Sequence, residues 1–165
     1  MQKFFFAFSF LAILSVISGC SGEKRPDGMP KLYPCRITIL QEGKPLANAT
    51  VDLVSKNGSF KWSIMGTTDA NGLAELRTHS LYKGVPSGTF SVAVEKREPE
   101  SDPKKLENLP PEQRNKPIKI FSYVDAKYTS SDTSPLEMTV EKSPVSKEFD
   151  LGKPVRKHVD TLGKI

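Results

Sequence analysis

The sequence predicts an all-β protein, an antiparallel β-sandwich of about seven strands. Apolar and polar residues alternate with a period of two in one segment after another, which is the pattern of strands with a single buried face. The chain also contains 13 Pro and 11 Gly among its 165 residues, and this composition favours turns over long helices. Because strands with one apolar face need a second sheet to cover them, two packed sheets are the expected architecture.

Residues 1–19 are predicted to be a secretory signal peptide. Lys3 is followed by an apolar run from Phe4 to Ile17, which has the length and the small-residue exit of a secretory signal. The run is shorter than the ~20 residues that cross a membrane as a helix. An ordinary signal peptide, in which Cys20 has no special role, is one interpretation of this segment.

The end of the run favours a second interpretation. Ile17-Ser18-Gly19-Cys20 resembles the lipobox of bacterial lipoproteins, and the resemblance implies that Cys20 carries the lipid. Two or more acyl chains give stable membrane attachment without a spanning helix. Ser21 stands where an Asp would retain a lipoprotein at the inner membrane, so the resemblance implies the periplasmic face of the outer membrane. Residues 20–31 are then a flexible tether, because they are polar and rich in Gly and Pro.

Seven segments carry the alternating pattern and are the predicted strands: residues 33–39, 47–53, 60–64, 73–78, 90–95, 136–140 and 149–151. Trp62 alternates with Phe60 and Ile64, so its ring is predicted to lie in the core. Cys35 lies on the apolar face of the first strand and is predicted to be a small buried hydrophobe, not a reactive thiol. The predicted domain spans residues 32–152, with a loose, Pro-rich and charged loop at 97–117. Residues 153–165 are predicted to be a solvated tail.

Several turn residues connect these strands. Gly43 is expected to adopt a positive φ, and Pro45 to stiffen the entry into the next strand. The Asp69 carboxylate is expected to accept hydrogen bonds from amides two residues on, and Asn71-Gly72 suits a tight hairpin. Gly88 precedes the strand that is expected to be central. These are structural roles.

The order of these motifs resembles a known family. The series consists of Gly43-Lys44-Pro45-Leu46, Ala49-Thr50-Val51, Thr68-Asp69-Ala70-Asn71-Gly72-Leu73 and Pro86-Ser87-Gly88-Thr89-Phe90-Ser91-Val92. It is similar to the pattern of carboxypeptidase regulatory-like, transthyretin-like domains over about residues 33–151. The resemblance implies an Ig-like or prealbumin-like sandwich. The family also includes hydroxyisourate hydrolases, which need paired His residues, an Arg and a Tyr-Arg-Gly-Ser terminus. This chain ends in Leu162-Gly163-Lys164-Ile165, so that activity is not carried over.

No catalytic motif is found in the sequence, and the protein is predicted not to be an enzyme. His79 and His158 lack the spacing of zinc ligands, and the segment at Asp69 is interpreted as a turn, not a calcium loop. No metal or cofactor is predicted. The net charge of +5 is too small to indicate a nucleic-acid partner.

The predicted function is that of a non-enzymatic binding or structural module in the envelope, with an envelope protein or a cell-wall polysaccharide as its partner. The alternative is a carbohydrate-binding lipoprotein that uses aromatic rings; the candidates are Trp62, Tyr82, Tyr123 and Tyr128. The loop at residues 78–87 is the candidate binding loop because it offers His79 and an exposed Tyr82 ring. A Tyr82 ring folded back over the end of the sandwich is the open alternative.

Overall fold

A computed structural model describes residues 25–58, 60–100 and 119–159. These residues form strands and one short 3₁₀ turn, and no helix among them is long and apolar enough to cross a membrane. The predicted signal peptide, Cys20 and the first part of the tether lie outside the described residues, as does most of the predicted loop at 97–117. The elements are β1 Leu32–Tyr33, β2 Cys35–Gln41, β3 Lys44–Pro45, β4 Thr50–Ser55, β5 Ile64–Thr67, β6 Leu73–Glu75, β7 Arg77–Thr78, β8 Tyr82–Lys83, β9 Val85–Pro86, β10 Gly88–Glu95, β11 Arg97–Pro99, β12 Ile120–Ser122, the 3₁₀ turn Ala126–Tyr128, β13 Glu137–Val140, β14 Val145–Asp150 and β15 Lys157–Val159.

Two sheets form the body of the domain. The larger has the strand order β13-β10-β4-β5-β7-β8, and the smaller has the order β14-β2-β3, with β6 also paired to β2. Buried residues alternate with more exposed ones along β2 and β4, as a two-layer architecture requires. The all-β sandwich predicted from the alternating pattern is confirmed.

The core lies between the two sheets and consists mainly of aliphatic side chains, together with the rings of Phe90 and Tyr128. Burial of each such side chain contributes about 1.5–3 kcal/mol relative to exposure. Cys35 belongs to this core, and its thiol lies 3.7 Å from the sulfur of Met138. The largest fully buried side chains of the core are Ile37, Ile39, Val51, Ile64, Leu76, Val85, Phe90, Val92, Val94, Val124, Met138 and Val140.

One strand departs from the predicted antiparallel arrangement. β14 pairs with β2 in parallel, from Val145 beside Cys35 to Asp150 beside Leu40. The chain leaves β13 in the larger sheet and crosses to the smaller sheet within residues 141–144, so β14 runs in the same direction as β2. The other strand pairs among the described residues are antiparallel.

The predicted strand at 73–78 belongs to both sheets. β6 pairs with β2, whereas β7 pairs with β5 in the other sheet. Leu76 stands at the crossing: its side chain is buried and its amide donates to the carbonyl of Cys35. The Asp69–Gly72 turn therefore connects strands of different sheets, not the two arms of a hairpin.

The two predicted turns differ in the space around their glycines. Gly43 has a φ of 72°, and a Cβ there would meet nothing within 4 Å. Gly72 has a φ of 73°, and a Cβ there would lie 2.5 Å from the carbonyl oxygen of Ile39. The positive φ expected at Gly43 is confirmed, and only glycine also fits the close approach at Gly72.

The Asp69 turn is held as its sequence predicts. Oδ1 of Asp69 accepts from the amides of Asn71 at 2.8 Å and Leu73 at 2.9 Å. Thr68, just before it, is buried and donates through Oγ1 to the carbonyl of Leu46 at 2.6 Å. Pro45 ends the short strand β3, opposite Leu40, and Gly88 begins β10.

The predicted limits of the domain need correction at two places. The predicted loop at 97–117 begins with a strand, β11, and the predicted tail contains another, β15. With β12 between them they form a three-stranded sheet, so ordered structure extends to Val159. β11 and β15 contain only three residues each and include charged ones, so their composition is typical of solvated segments.

Candidate functional site

The predicted binding loop is a hairpin. β7 and β8 pair Thr78 with Tyr82, and the tip consists of His79, Ser80 and Leu81. The Tyr82 side chain is only 8% exposed, whereas Leu81 is 57% exposed. The prediction of an exposed Tyr82 ring was wrong, because Tyr82 lies across from Thr78, which is fully buried, and faces inward with it. The alternative, a ring folded back over the sandwich, is what the structure shows.

The tip of this hairpin has an unusual backbone. His79 and Ser80 have φ angles of 55° and 59°, in the left-handed region that costs a non-glycine residue about 1–2 kcal/mol. His79 is exposed, as predicted. Ser80 lines an open groove of about 530 Å³ together with Met65 and Arg77. The hairpin therefore borders a groove through Ser80, without presenting an aromatic ring.

Trp62 lies outside the core in which its ring was predicted to lie. The ladder between β4 and β5 begins at Ile64, opposite Leu53, so Phe60 and Trp62 lie outside the sheet. Trp62 is half-buried and does not belong to the core. Its ring centroid lies 5.4 Å from that of Phe60, with an angle of 58° between the planes. The alternation at 60–64 was therefore interpreted wrongly as a core strand.

The two rings form one side of a cleft with a volume of about 310 Å³. Its walls come from three separate parts of the chain: the segment before β1, the connection between β4 and β5, and the start of β10. It is lined by Gly28, Pro30, Ser55, Asn57, Phe60, Trp62, Pro86, Ser87, Gly88 and Phe90. The lining combines flat apolar rings with hydroxyl and amide groups, and none of these side chains carries a charge.

This combination suits binding more than catalysis. Aromatic faces with a few neighbouring polar groups hold and orient an uncharged ligand. Acid–base and nucleophilic chemistry require titratable groups at the reacting atoms, and the lining residues supply none. Within the described ranges, no three His, Cys, Asp or Glu side chains are grouped so that they could hold a metal ion.

The other aromatic candidates lie outside the lining of this cleft. Tyr128 is 8% exposed and lies beneath the Lys127 ammonium. Tyr123 is half-buried, with the Nζ atom of Lys96 5.7 Å from its ring centroid. His158, predicted to lie in a solvated tail, is an exposed residue of β15 whose ring meets the edge of Phe121. Of the four rings predicted for sugar binding, only Trp62 lines the cleft.

Cys35 is inert in this structure, as its position in the sequence predicts. Burial raises the pKa of its thiol from 9.0 to about 12, so the thiolate is negligible at neutral pH. A cavity of about 250 Å³ touches Cys35 from the side of Lys83 and Gly84. The sulfur itself faces the core and donates to Met138.

One polar contact that the sequence does not predict fixes the β2–β3 turn. The Asp150 carboxylate accepts from the amides of Glu42 at 3.1 Å, Gly43 at 2.8 Å and Gly152 at 2.8 Å. These backbone hydrogen bonds hold the pKa of Asp150 below its ordinary value. Asp150 is more than 100 residues from Gly43, so no local pattern predicts the contact.

No family model matches the sequence, and no curated protein matches it. In structure the chain is similar to the major pilin subunit of Bacillus cereus, with 14% identity and a TM-score of 0.44 over 74% of this chain and 30% of the pilin. It is also similar to a 9R-lipoxygenase from Cyanothece PCC8801, with 16% identity and a TM-score of 0.32 over 79% of this chain and 18% of the enzyme. The chain thus spans less than a third of either protein, and at such scores neither likeness supports a statement about function.

Proposed function

We propose that this protein is a lipid-anchored module of the bacterial envelope that binds a partner without catalysing a reaction. The proposal has two parts, anchoring at Cys20 and binding at the cleft beside Trp62. The single observation that carries the second part is the pair of rings, Phe60 and Trp62, at an uncharged cleft of about 310 Å³. The sequence motifs support a carboxypeptidase regulatory-like, transthyretin-like sandwich as the scaffold.

The anchor and the cleft belong to the same end of the domain in this proposal. Gly28 and Pro30 form part of the cleft wall and follow the proposed lipid site by eight and ten residues. A fully extended chain of eight residues spans at most about 29 Å. A lipid at Cys20 therefore keeps the cleft close to the membrane surface, and the absence of Asp after Cys20 favours the outer membrane.

Processing of the precursor tests the anchor. Globomycin, which blocks the lipoprotein signal peptidase, should lead to accumulation of the uncleaved chain, and Cys20→Ala should do the same. Cys35→Ala is the matched control, because it removes the other thiol and should leave processing unchanged. Normal processing of the Cys20→Ala chain would exclude a lipoprotein.

Binding at the cleft is tested with the chain that begins at Ser21. This chain keeps every described contact of the sandwich, since all of them lie within residues 25–159. Trp62→Ala should weaken capture of isolated peptidoglycan or of an envelope partner by at least about tenfold, while the melting temperature changes little because Trp62 is outside the core. Equal capture by the unmodified chain and by Trp62→Ala would rule out the cleft as the binding site.

A carbohydrate ligand is the second candidate, and the composition of the cleft favours it. A sugar ring has an apolar face that packs on an aromatic ring, and its hydroxyl groups need hydrogen-bonding partners such as Asn57 and Ser87. A glycan array probed with the same two chains separates the candidates. Glycan-array binding that is lost in Trp62→Ala would identify a sugar as the ligand. Capture of a protein in the absence of peptidoglycan would favour an envelope protein as the partner.

A further inference from the structure

The three-stranded sheet formed by β11, β12 and β15 carries a cluster of cations that the cleft does not use. We infer that this sheet binds the carboxylates of an acidic polysaccharide, with Arg156 as the central residue. The inference concerns the end of the domain away from the cleft. Its test does not depend on the anchor or on Trp62.

The outward face of the sheet follows from its register. Glu98, Phe121 and His158 lie side by side across the three strands, so their side chains share one face. In the next row Ser122 is buried and donates to the carbonyl of Val124. Ser122 therefore faces the sandwich, whereas Phe121, its neighbour in the strand, points to the opposite face.

Arg156 lies flat on this outward face. Its guanidinium carbon is 3.7 Å from the centroid of the Phe121 ring, which is the stacked arrangement of a cation–π contact. Stacking leaves the N–H groups at the guanidinium edge in a fixed plane, and a planar guanidinium pairs with a carboxylate through two parallel hydrogen bonds. Phe121 thus orients Arg156 for a planar anion.

No carboxylate of the described residues satisfies Arg156. The arginines Arg36 and Arg97 pair with Glu75 and Glu95, and the nearby Lys96 pairs with Glu98. Arg156 has no ion pair within the described ranges. Among the described residues, Arg156 is therefore an oriented arginine to which no carboxylate is bound.

The surrounding charges extend this position along the sheet. The segment from Gly152 to Val159 contains Lys153, Arg156 and Lys157 and no acidic residue, and all three side chains are exposed. Lys119, also exposed, precedes the neighbouring strand β12. Lys157 pairs with Ser122 and so points to the face opposite Phe121, which leaves Lys153 and Lys119 as the cations that extend the Arg156 position. A ligand that meets several of these cations must carry repeated negative charges.

The position in the domain favours a polysaccharide over a lipid surface. The cleft, with Gly28 and Pro30 in its wall, adjoins Gly88 at the start of β10, whereas β11 follows directly after the end of β10 at Glu95. Eight residues of strand separate the two ends by about 25 Å. If the proposed anchor at Cys20 exists, the cationic sheet faces away from the membrane that holds it, toward the polymers of the envelope.

The test uses the chain that begins at Ser21 and polygalacturonate, in which every sugar carries a carboxylate. The two should bind at low salt, and the affinity should fall as salt rises from about 0.01 M to about 0.15 M, because the Debye length shortens from ~30 Å to ~8 Å. Uncharged dextran is the control polymer. Absence of polygalacturonate binding at low salt would overturn the inference.

Three variants locate the site. Arg156→Ala should weaken binding about tenfold, as expected for loss of a charge-assisted hydrogen-bonding partner, and Arg156→Lys should recover only part of the loss because lysine lacks the planar fork. Lys142→Ala removes the same charge from an exposed site after Val140, at the cleft end of the domain, and should change the affinity less than twofold. Equal losses in Arg156→Ala and Lys142→Ala would show that only net charge matters and would overturn the site.

Two further probes distinguish the chemical class. Polyglutamate and vesicles that contain phosphatidylglycerol present anions without sugars. We expect the protein to bind polyglutamate and the vesicles more weakly than it binds polygalacturonate. If polyglutamate binds equally well, the partner is an acidic protein; if only the vesicles bind, the surface is a membrane contact, and either result would overturn the inference.

Discussion

Two hairpins of this domain reverse the chain with positive-φ residues and achieve it by different means. Between β2 and β3, Glu42 and Gly43 have φ angles of 48° and 72°, and the Asp150 carboxylate accepts from both amides. Between β7 and β8, His79 and Ser80 occupy the same region without a glycine. The backbone of the first turn is bound directly by a carboxylate of a distant strand, whereas the second turn depends on the packing of the strands on either side of it.

The comparison shows what anchors the second hairpin. Tyr82 is buried beside Thr78, and Oγ1 of Thr78 donates to the carbonyl of Gly84 at 2.8 Å. Gly84 has a φ of 103°, and a Cβ there would lie 2.6 Å from the carbonyl oxygen of Tyr33. The strained tip is retained because the arms of the hairpin are fixed by buried contacts.

The largest expected effect is therefore at Tyr82. Tyr82→Ala should lower the free energy of unfolding by about 3 kcal/mol, since it removes a large buried ring. His79→Ala, at the exposed tip of the same hairpin, is the control and should change it by less than about 0.5 kcal/mol. Urea denaturation of both chains measures the difference. A Tyr82→Ala chain as stable as the unmodified one would show that the arms do not anchor the turn.

The next effect concerns the Asp150 carboxylate, which binds the amides of the first hairpin. Asp150→Asn should lower the melting temperature at neutral pH, because the hydrogen bonds from three amides stabilise the charged form. The pKa of Asp150 is lowered in the folded protein from 3.8. Its contribution to stability is therefore complete above that value and is lost as the pH falls through the folded pKa.

Thermal unfolding of both chains as a function of pH measures this effect. The two melting temperatures should converge in acid, where Asp150 is protonated in the unmodified chain. Asp132→Asn is a suitable control, because Asp132 is exposed and its carboxylate accepts no hydrogen bond from the described residues. A constant difference at all pH values would contradict a role for the charge.

The smallest effects, of opposite sign, distinguish the two turns directly. Gly43→Ala should destabilise the protein by about 1 kcal/mol, because the Cβ has room but the φ of 72° is unfavourable for alanine. His79→Gly should stabilise it by up to about 1 kcal/mol, since glycine adopts a φ of 55° without steric cost. Denaturant midpoints at constant m-value give both numbers. Destabilisation by His79→Gly would mean that the tip is not strained.

The same contrast explains how far the sequence predicts the fold. The sandwich, the core side chains of β2, β4, β10 and β13 and the Gly43 and Asp69 turns were all predicted, because each depends on local chemistry or on a period of two. The hairpin at Tyr82 was predicted to be a loop because its strands contain two residues each, too few for any periodicity.

The candidate sites were predicted less well than the fold, for a related reason. Trp62 was predicted to be in the core because it alternates with Ile64, but the ladder begins only at Ile64. The cleft combines Pro30, Trp62 and Pro86, which are distant in the chain. The outward sheet face at Arg156 likewise depends on the register of short strands. Such sites are produced by tertiary structure, and a single sequence does not indicate them.

The parallel pairing of β2 with β14 has a consequence for how the domain assembles. Cys35 and Val145 are neighbours in this ladder although about 110 residues separate them, and closing so long a loop is slow compared with hairpin formation. Until β14 arrives, one edge of β2 has no partner, although most of the core strands have already been synthesised. An open edge strand is a template for pairing with another chain. A chain interrupted before Val145 is therefore expected to aggregate through β2, so the last strand of the sandwich protects the solubility of the first.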